Sequence, residues 1–200
     1  MPPHSPRKPT ASPNWDDVYR VAEGQSGYFT RGDAADCGFS APLLHHHVAA
    51  GAIQRARRGV YRLTRFPTTE HEDLVVYWLW SGKAGVFSHE TALSLHELSD
   101  ALPSRAHLTL PASWSRRRVA IPEGVVVHYA EVSKSERAWF HSIPITTVER
   151  TIRDVIQDAA EPELVRQAIS QSKRRGLLAP DVARRLAAAA RERSRAKKIR

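Results

Sequence analysis

Thr30–Leu63, TRGDAADCGFSAPLLHHHVAAGAIQRARRGVYRL, decides the fold. Thr30 and Asp33 stand three residues apart ahead of Ala34, Ala35 and Cys37, the spacing of a capping box that opens a helix. Gly38 stops that helix and supplies a tight turn. Ser40 then caps a second helix, with Pro42 in the first turn, where its missing N–H costs nothing. Leu43, Leu44 and Val48 form the core stripe of this helix, and Gly51 ends it. From Ala52 to Leu63, two β-prone runs flank Arg57-Arg58-Gly59, which predicts a hairpin. Upstream, Asn14 caps a further helix, with Asp17 three residues on and Trp15, Val18, Tyr19 and Ala22 at helical spacing. Gly24 closes it, and an extended GYFT follows. Three short helices followed by a basic hairpin predict a winged helix-turn-helix over residues 14–66.

On either side the pattern changes. Residues 1–13 hold five prolines and no apolar period, so they are expected to be a disordered leader. From 67 to 180 the expected structure is a mixed α/β domain with a small sheet. A helix is predicted from Thr69 to Gly82, a short Val86-Phe87 strand next, and a helix capped by Ser88 through Leu98. Strand-like runs lie at 106–110, 119–121, 125–129 and 138–143. Thr146 with Glu149 predicts a capped helix bearing Val148, Ile152, Val155 and Ile156, and another helix is expected from Pro162 to Arg175. Residues 181–200 are expected to be a basic helical tail. The fold class is α+β.

Composition bounds the partners. The chain has 200 residues and a formal charge of +9. Residues 181–200 contribute +6 of it, and residues 53–65 hold five arginines and no acid. Clustered positive charge suits a polyanion, because each Lys or Arg placed on a phosphate releases condensed counterions. The longest apolar run, near Leu74–Trp80, is far short of the roughly 20 residues a membrane helix needs. Neither membrane insertion nor secretion is expected. A single cysteine, Cys37, excludes an internal disulfide framework and fits a reducing compartment, so the cytoplasm is the expected location.

A winged helix places its helix 40–50 in the major groove and its hairpin along the backbone or minor groove. The expected DNA contacts are therefore Ser40, Ala41, Pro42, His45 and His46 from the helix, and Arg55, Arg57, Arg58 and Arg62 from the wing. The helix offers no Arg or Asn for bidentate base readout, so specificity is expected to rest on His donors, wing arginines and DNA shape. Arg116, Arg117 and Arg118 are candidate extra contacts to phosphate or to a protein partner. No metal or cofactor is expected, since the adjacent residues His45, His46 and His47 lie about 100° apart on a helix and cannot converge on one ion. Ser88-His89-Glu90 lists triad residue types, but consecutive residues point in different directions and Ser88 reads as a helix cap. With no phosphate-binding glycine motif and no carboxylate cluster, the chain is expected not to be an enzyme.

An ordered set of motifs resembles the AbiEi-type antitoxins of bacterial toxin–antitoxin pairs. It comprises WDDVYRVAEGQSGYFTRGDAADCGFS (15–40), LLHHHVAAGAIQRARRGVYRL (43–63), SHETALSLHELSD (88–100), AHLTLP (106–111), RRRVAIPEGVVVHYAEV (116–132) and PITTVERTIRDV (144–155). The resemblance implies an N-terminal winged helix that binds repeats, expected to be inverted, in its own promoter DNA. It also implies a C-terminal domain that neutralises a cognate nucleotidyltransferase toxin. The residues themselves leave two alternatives: a stand-alone winged-helix regulator without a toxin, and a nuclease guided by the same DNA-binding domain.

Overall fold

A computed structural model describes residues 12–198 apart from Ala101 and Ala159. Nearly all of the expected leader therefore lies outside the described residues. The chain divides into two compact units, Met1–Lys83 and Ala84–Arg200.

The first unit contains α1 (Trp15–Glu23), β1 (Tyr28–Thr30), α2 (Arg31–Asp36), α3 (Ala41–Ala49), β2 (Ile53–Arg57), β3 (Val60–Leu63) and α4 (Glu72–Trp80). Its helix starts form as the caps dictate. The Asn14 side chain accepts from Asp16 N–H, Thr30 and Asp33 complete a reciprocal capping box, and Ser40 Oγ accepts from Leu43 N–H. Three strands make an antiparallel sheet in the order β1-β3-β2. Val18, Ala22, Phe29, Ala34, Phe39, Leu44 and Ile53 fill the space between helices and sheet. Burying the Phe29 ring alone contributes roughly 1.5–3 kcal/mol. Gly27 is required where it stands: its φ is +87°, and a Cβ there would meet the Phe66 ring at 2.6 Å.

Helix α4 was expected to open the second domain, yet it belongs to the first unit. It is shorter than the predicted 69–82 and buries Leu74, Val75, Trp78 and Leu79. Tyr28 Oη donates to Glu72 at 2.8 Å, and Lys83 Nζ donates to Asp33 at 2.8 Å. The unit thus runs to Lys83 rather than 66. The reason is that α4 packs its apolar face against β1, β2 and β3.

The second unit contains β4 (Val86–Phe87), α5 (His89–Leu95), β5 (Ala106–Leu110), β6 (Val125–Tyr129), β7 (Arg137–Phe140), β8 (Ile143–Thr146), α6 (Val148–Gln157), α7 (Pro162–Arg174) and α8 (Pro180–Lys198). Its five strands form a mixed sheet in the order β6-β5-β4-β8-β7. The β5–β6 and β4–β8 pairs are parallel, while β4–β5 and β7–β8 are antiparallel. Leu93, Leu98, Ile152, Val155, Val165, Ala168 and Leu186 build a second core among α5 to α8.

Several expectations for this unit change. Residues 119–121 are not a strand, and the run 138–143 is a hairpin whose strands are β7 and β8. Thr146 ends β8 instead of capping α6; its hydroxyl lies 2.6 Å from that of Thr151, and Thr147 takes the cap position. Ser88 precedes α5 but its side chain does not cap it. The expected tail is continuous with the core: Ala183 and Leu186 on α8 are buried. An Ala-rich helix with basic residues on one face still has an opposite face to bury.

Candidate nucleic-acid interface

The helix-turn-helix is held by backbone bonds at both ends of α3. Phe39 N–H donates to the Ala34 carbonyl at 2.8 Å, closing the turn after α2, and Ala52 N–H donates to the His47 carbonyl at 3.0 Å, launching β2 directly from α3. Leu44 is buried at 2% exposure, with Leu43 and Val48 partly buried beside it. Ser40, Ala41, Pro42, His45 and His46 are consequently exposed along the opposite face. His47 differs from its neighbours: its ring packs edge-on to Trp15 at 4.8 Å and tilts against Phe39 at 5.8 Å.

The wing turns at Arg58-Gly59, where Gly59 has a φ of +80°. A bulge between Arg55 and Arg57 interrupts the β2–β3 register. Arg55 and Arg58 are exposed, and the Arg57 guanidinium sits 5.7 Å from the centre of the Tyr77 ring. Among the described residues none of these three arginines is in an ion pair with an acid. Their charge is available to a ligand.

Arg62 is a correction. Its side chain was expected to reach DNA, but the residue is 8% exposed and points inward. Nη2 donates to the Phe66 carbonyl at 2.8 Å and lies 3.4 Å from Glu72 Oε1, while Nη1 donates to the Leu63 carbonyl at 3.4 Å. Glu72 also accepts from Thr69 N–H at 2.7 Å and from Tyr28 Oη at 2.8 Å. Burial pushes the Glu72 carboxyl upward, but these donors and the guanidinium outweigh it and hold its pKa below the usual carboxylate range. The same cluster raises Tyr28 to about 12, first by burial and then through its bond to the Glu72 carboxylate. On β3 Arg62 lies among the buried Val60 and Leu63 and the half-buried Tyr61, and α4 supplies its acid.

Arg31 joins the basic surface without having been expected there. It is exposed at the start of α2, and its N–H donates to the Gly59 carbonyl at 2.9 Å, so the helix start lies against the wing turn. A cation in the first turn of a helix opposes the macrodipole, and that local misfit is the signal its sequence carries. In the second unit Arg116, Arg117 and Arg118 are exposed on a turn, with Arg117 4.6 Å over the Trp114 ring. Other basic residues are engaged in the fold: Arg175 donates to the His96 and Glu97 carbonyls, and Arg193 to the Gln157 carbonyl. They satisfy helix C-termini.

A capped helix-turn-helix followed by a basic hairpin defines the N-terminal unit as a winged-helix domain. Residues 16–64 match the family described as transcriptional regulator, AbiEi antitoxin. The N-terminal unit is therefore an AbiEi-type regulator domain, and the matched segment stops short of α4. No curated protein matches the chain. Among solved structures, the RV2827C protein from Mycobacterium tuberculosis is similar over 86% of this chain and 79% of its own, at 13% identity and a TM-score of 0.45. Among the described residues no helix is long and apolar enough to cross a membrane.

Proposed function

We propose that this protein is a DNA-binding antitoxin: its winged helix represses its own operon by binding repeats in the promoter, and its second unit neutralises a cognate nucleotidyltransferase toxin. The observation that carries the DNA reading is the pairing of an exposed α3 face with wing arginines that have no acid partner among the described residues. Ser40, Ala41, Pro42, His45 and His46 would face the major groove, and Arg55, Arg57 and Arg58 the phosphates or minor groove. Arg31, beside the wing turn, joins them. The toxin-neutralising half rests on the family match over residues 16–64 of the first unit and on the motif resemblance that continues through residues 88–155. We read the chain as a regulator without catalytic activity, located in the cytoplasm.

Footprinting of the upstream region at two salt concentrations tests the first half. The full chain should protect repeated elements. Arg57→Ala with Arg58→Ala should weaken binding to every sequence and lower the salt slope by about 0.9 for each phosphate no longer neutralised. An unchanged slope overturns the wing assignment. Co-expression with a nucleotidyltransferase encoded by the adjacent reading frame tests the second half. Rescue from growth arrest supports neutralisation, whereas promoter binding without rescue identifies a stand-alone regulator.

A further inference from the structure

In the second unit three histidines from three different elements meet. His89 opens α5, His107 lies on β5 and His128 on β6. The parallel register pairs His107 with Val126 and Thr109 with His128, so both strand histidines project from one sheet face. Each of the three offers one ring nitrogen, and those atoms lie within 4.8 Å of one another. His107 Nδ1 and His128 Nε2 are hydrogen-bonded at 3.1 Å, so one of them carries a proton that must move before both can bind an ion. Two ligands of one tetrahedral ion with metal–nitrogen bonds of about 2.0–2.1 Å stand about 3.3 Å apart, so this pair is already spaced as ligands.

The groups behind the rings are those that orient metal-binding imidazoles. Ser88 Oγ, fully buried, lies 2.9 Å from His89 Nδ1 and 2.7 Å from Thr109 Oγ1. By donating to Thr109 it accepts from Nδ1–H, which leaves the His89 Nε2 lone pair free. Asp158 Oδ2 stands 3.5 Å from His128 Nδ1 and 3.5 Å from His89 Nε2, where its carboxylate supplies negative charge. His89 also adopts a φ of 52°, a left-handed conformation that a non-glycine residue keeps only where its surroundings impose it.

We propose that His89, His107 and His128 form a binding site for one divalent transition-metal cation of the zinc class. Three imidazoles favour such an ion over magnesium or calcium, which take oxygen ligands. Loading requires one rotation. The rings of His89 and His128 are stacked 3.6 Å apart and 13° from parallel, and stacked imidazoles cannot both aim in-plane lone pairs at one ion. Turning one ring about its Cβ–Cγ bond would open the stack. The bound ion would tie the start of α5 to β5 and β6, with Asp158 completing the shell or bonding to His128 behind it. The spacing of eighteen and twenty-one residues between the three histidines gives no sequence signature; the sheet register assembles the site.

Metal-free full-length protein titrated with Zn²⁺ and Co²⁺ tests this. The expected result is one equivalent bound, visible absorption of tetrahedral character with Co²⁺, and a Tm that rises with free Zn²⁺. His107→Gln and His128→Gln should each weaken binding by about 100-fold or more, and Ser88→Ala, which removes a positioning group, by about 10-fold. Replacing His45, His46 and His47 together by Ala should leave the single equivalent intact. Absence of stoichiometric uptake, uptake unaffected by His107→Gln and His128→Gln, or loss on removing His45–His47 overturns the proposal. Circular dichroism of each metal-free variant verifies that it folds. If a variant does not, X-ray absorption on the loaded wild-type protein decides: three imidazoles support the site and fewer overturn it.

Discussion

Replacing Glu72 by Ala should strip the buried Arg62 guanidinium of its counter-charge while leaving the wing surface untouched. The Arg62 side chain is 10% exposed, that of Glu72 21%, and the charges are 3.4 Å apart. With an effective dielectric constant near 20, the pair interacts by roughly 5 kcal/mol before desolvation is counted. Breaking a buried pair by removing one partner costs about 3–5 kcal/mol, and the partial exposure of Glu72 puts this case at the lower end. Thr69 N–H and Tyr28 Oη lose their acceptor as well. For a unit of this size, about 3 kcal/mol corresponds to a fall in Tm of about 12–24 °C. Glu72→Gln keeps the shape and an acceptor, so it should cost about half as much. The assay is urea and thermal unfolding of the fragment 1–83, with a double-mutant cycle through Arg62→Met. A Glu72→Ala variant within about 0.5 kcal/mol of wild type would refute the buried-pair reading. DNA binding provides an independent check: where Arg62→Met remains folded, its salt slope should equal that of wild type, and a lowered slope would restore Arg62 to the interface.

Three further outcomes rest on the same geometry. Tyr28 should ionise near pH 12, so the 295 nm phenolate titration should show a late component that Tyr28→Phe removes. Because its folded pKa is raised, the stabilisation it gives is complete below pH 10 and is lost as pH climbs through 12. At the acid end, Glu72 has a depressed pKa, so its contribution is present above about pH 4.5 and disappears as pH falls below that; wild type should lose more stability than Glu72→Gln between pH 5 and pH 3 in a denaturant series. Leu186→Ala, in a segment that reads from sequence as a basic helical tail, should cost about 3 kcal/mol in chemical unfolding of the full chain, and a change under about 0.5 kcal/mol would show that α8 is peripheral.

The winged helix is legible in the sequence because its signals are local. Thr30 with Asp33, Ser40 with Pro42, and Gly59 between two β-prone runs each dictate the backbone within a few residues, and each is found where expected. What the sequence hides depends on partners distant along the chain. Arg62 looks like its wing neighbours until α4 arrives with Glu72 ten residues later. Thr146 and Glu149 have the spacing of a capping box, but the sheet claims Thr146 first as the last residue of β8. Adjacency alone predicts that Ser88 and His89 point apart; the left-handed φ of His89 turns its ring back to within 2.9 Å of the Ser88 hydroxyl. Ser88 is nevertheless fully buried and bonded to Thr109, so it is no exposed nucleophile.

Helix α4 has a consequence for how this regulator domain can be exchanged among proteins. The segment that matches the family ends at residue 64, whereas the first folded unit ends at Lys83. A gene fusion cut at the end of the likeness would carry a wing whose buried arginine has lost its acid and whose Tyr28 hydroxyl has lost its acceptor. The heritable module is therefore longer than the recognisable one. The seventeen residues after Phe66 must travel with it, because they carry both the Glu72 carboxylate and the apolar face of α4.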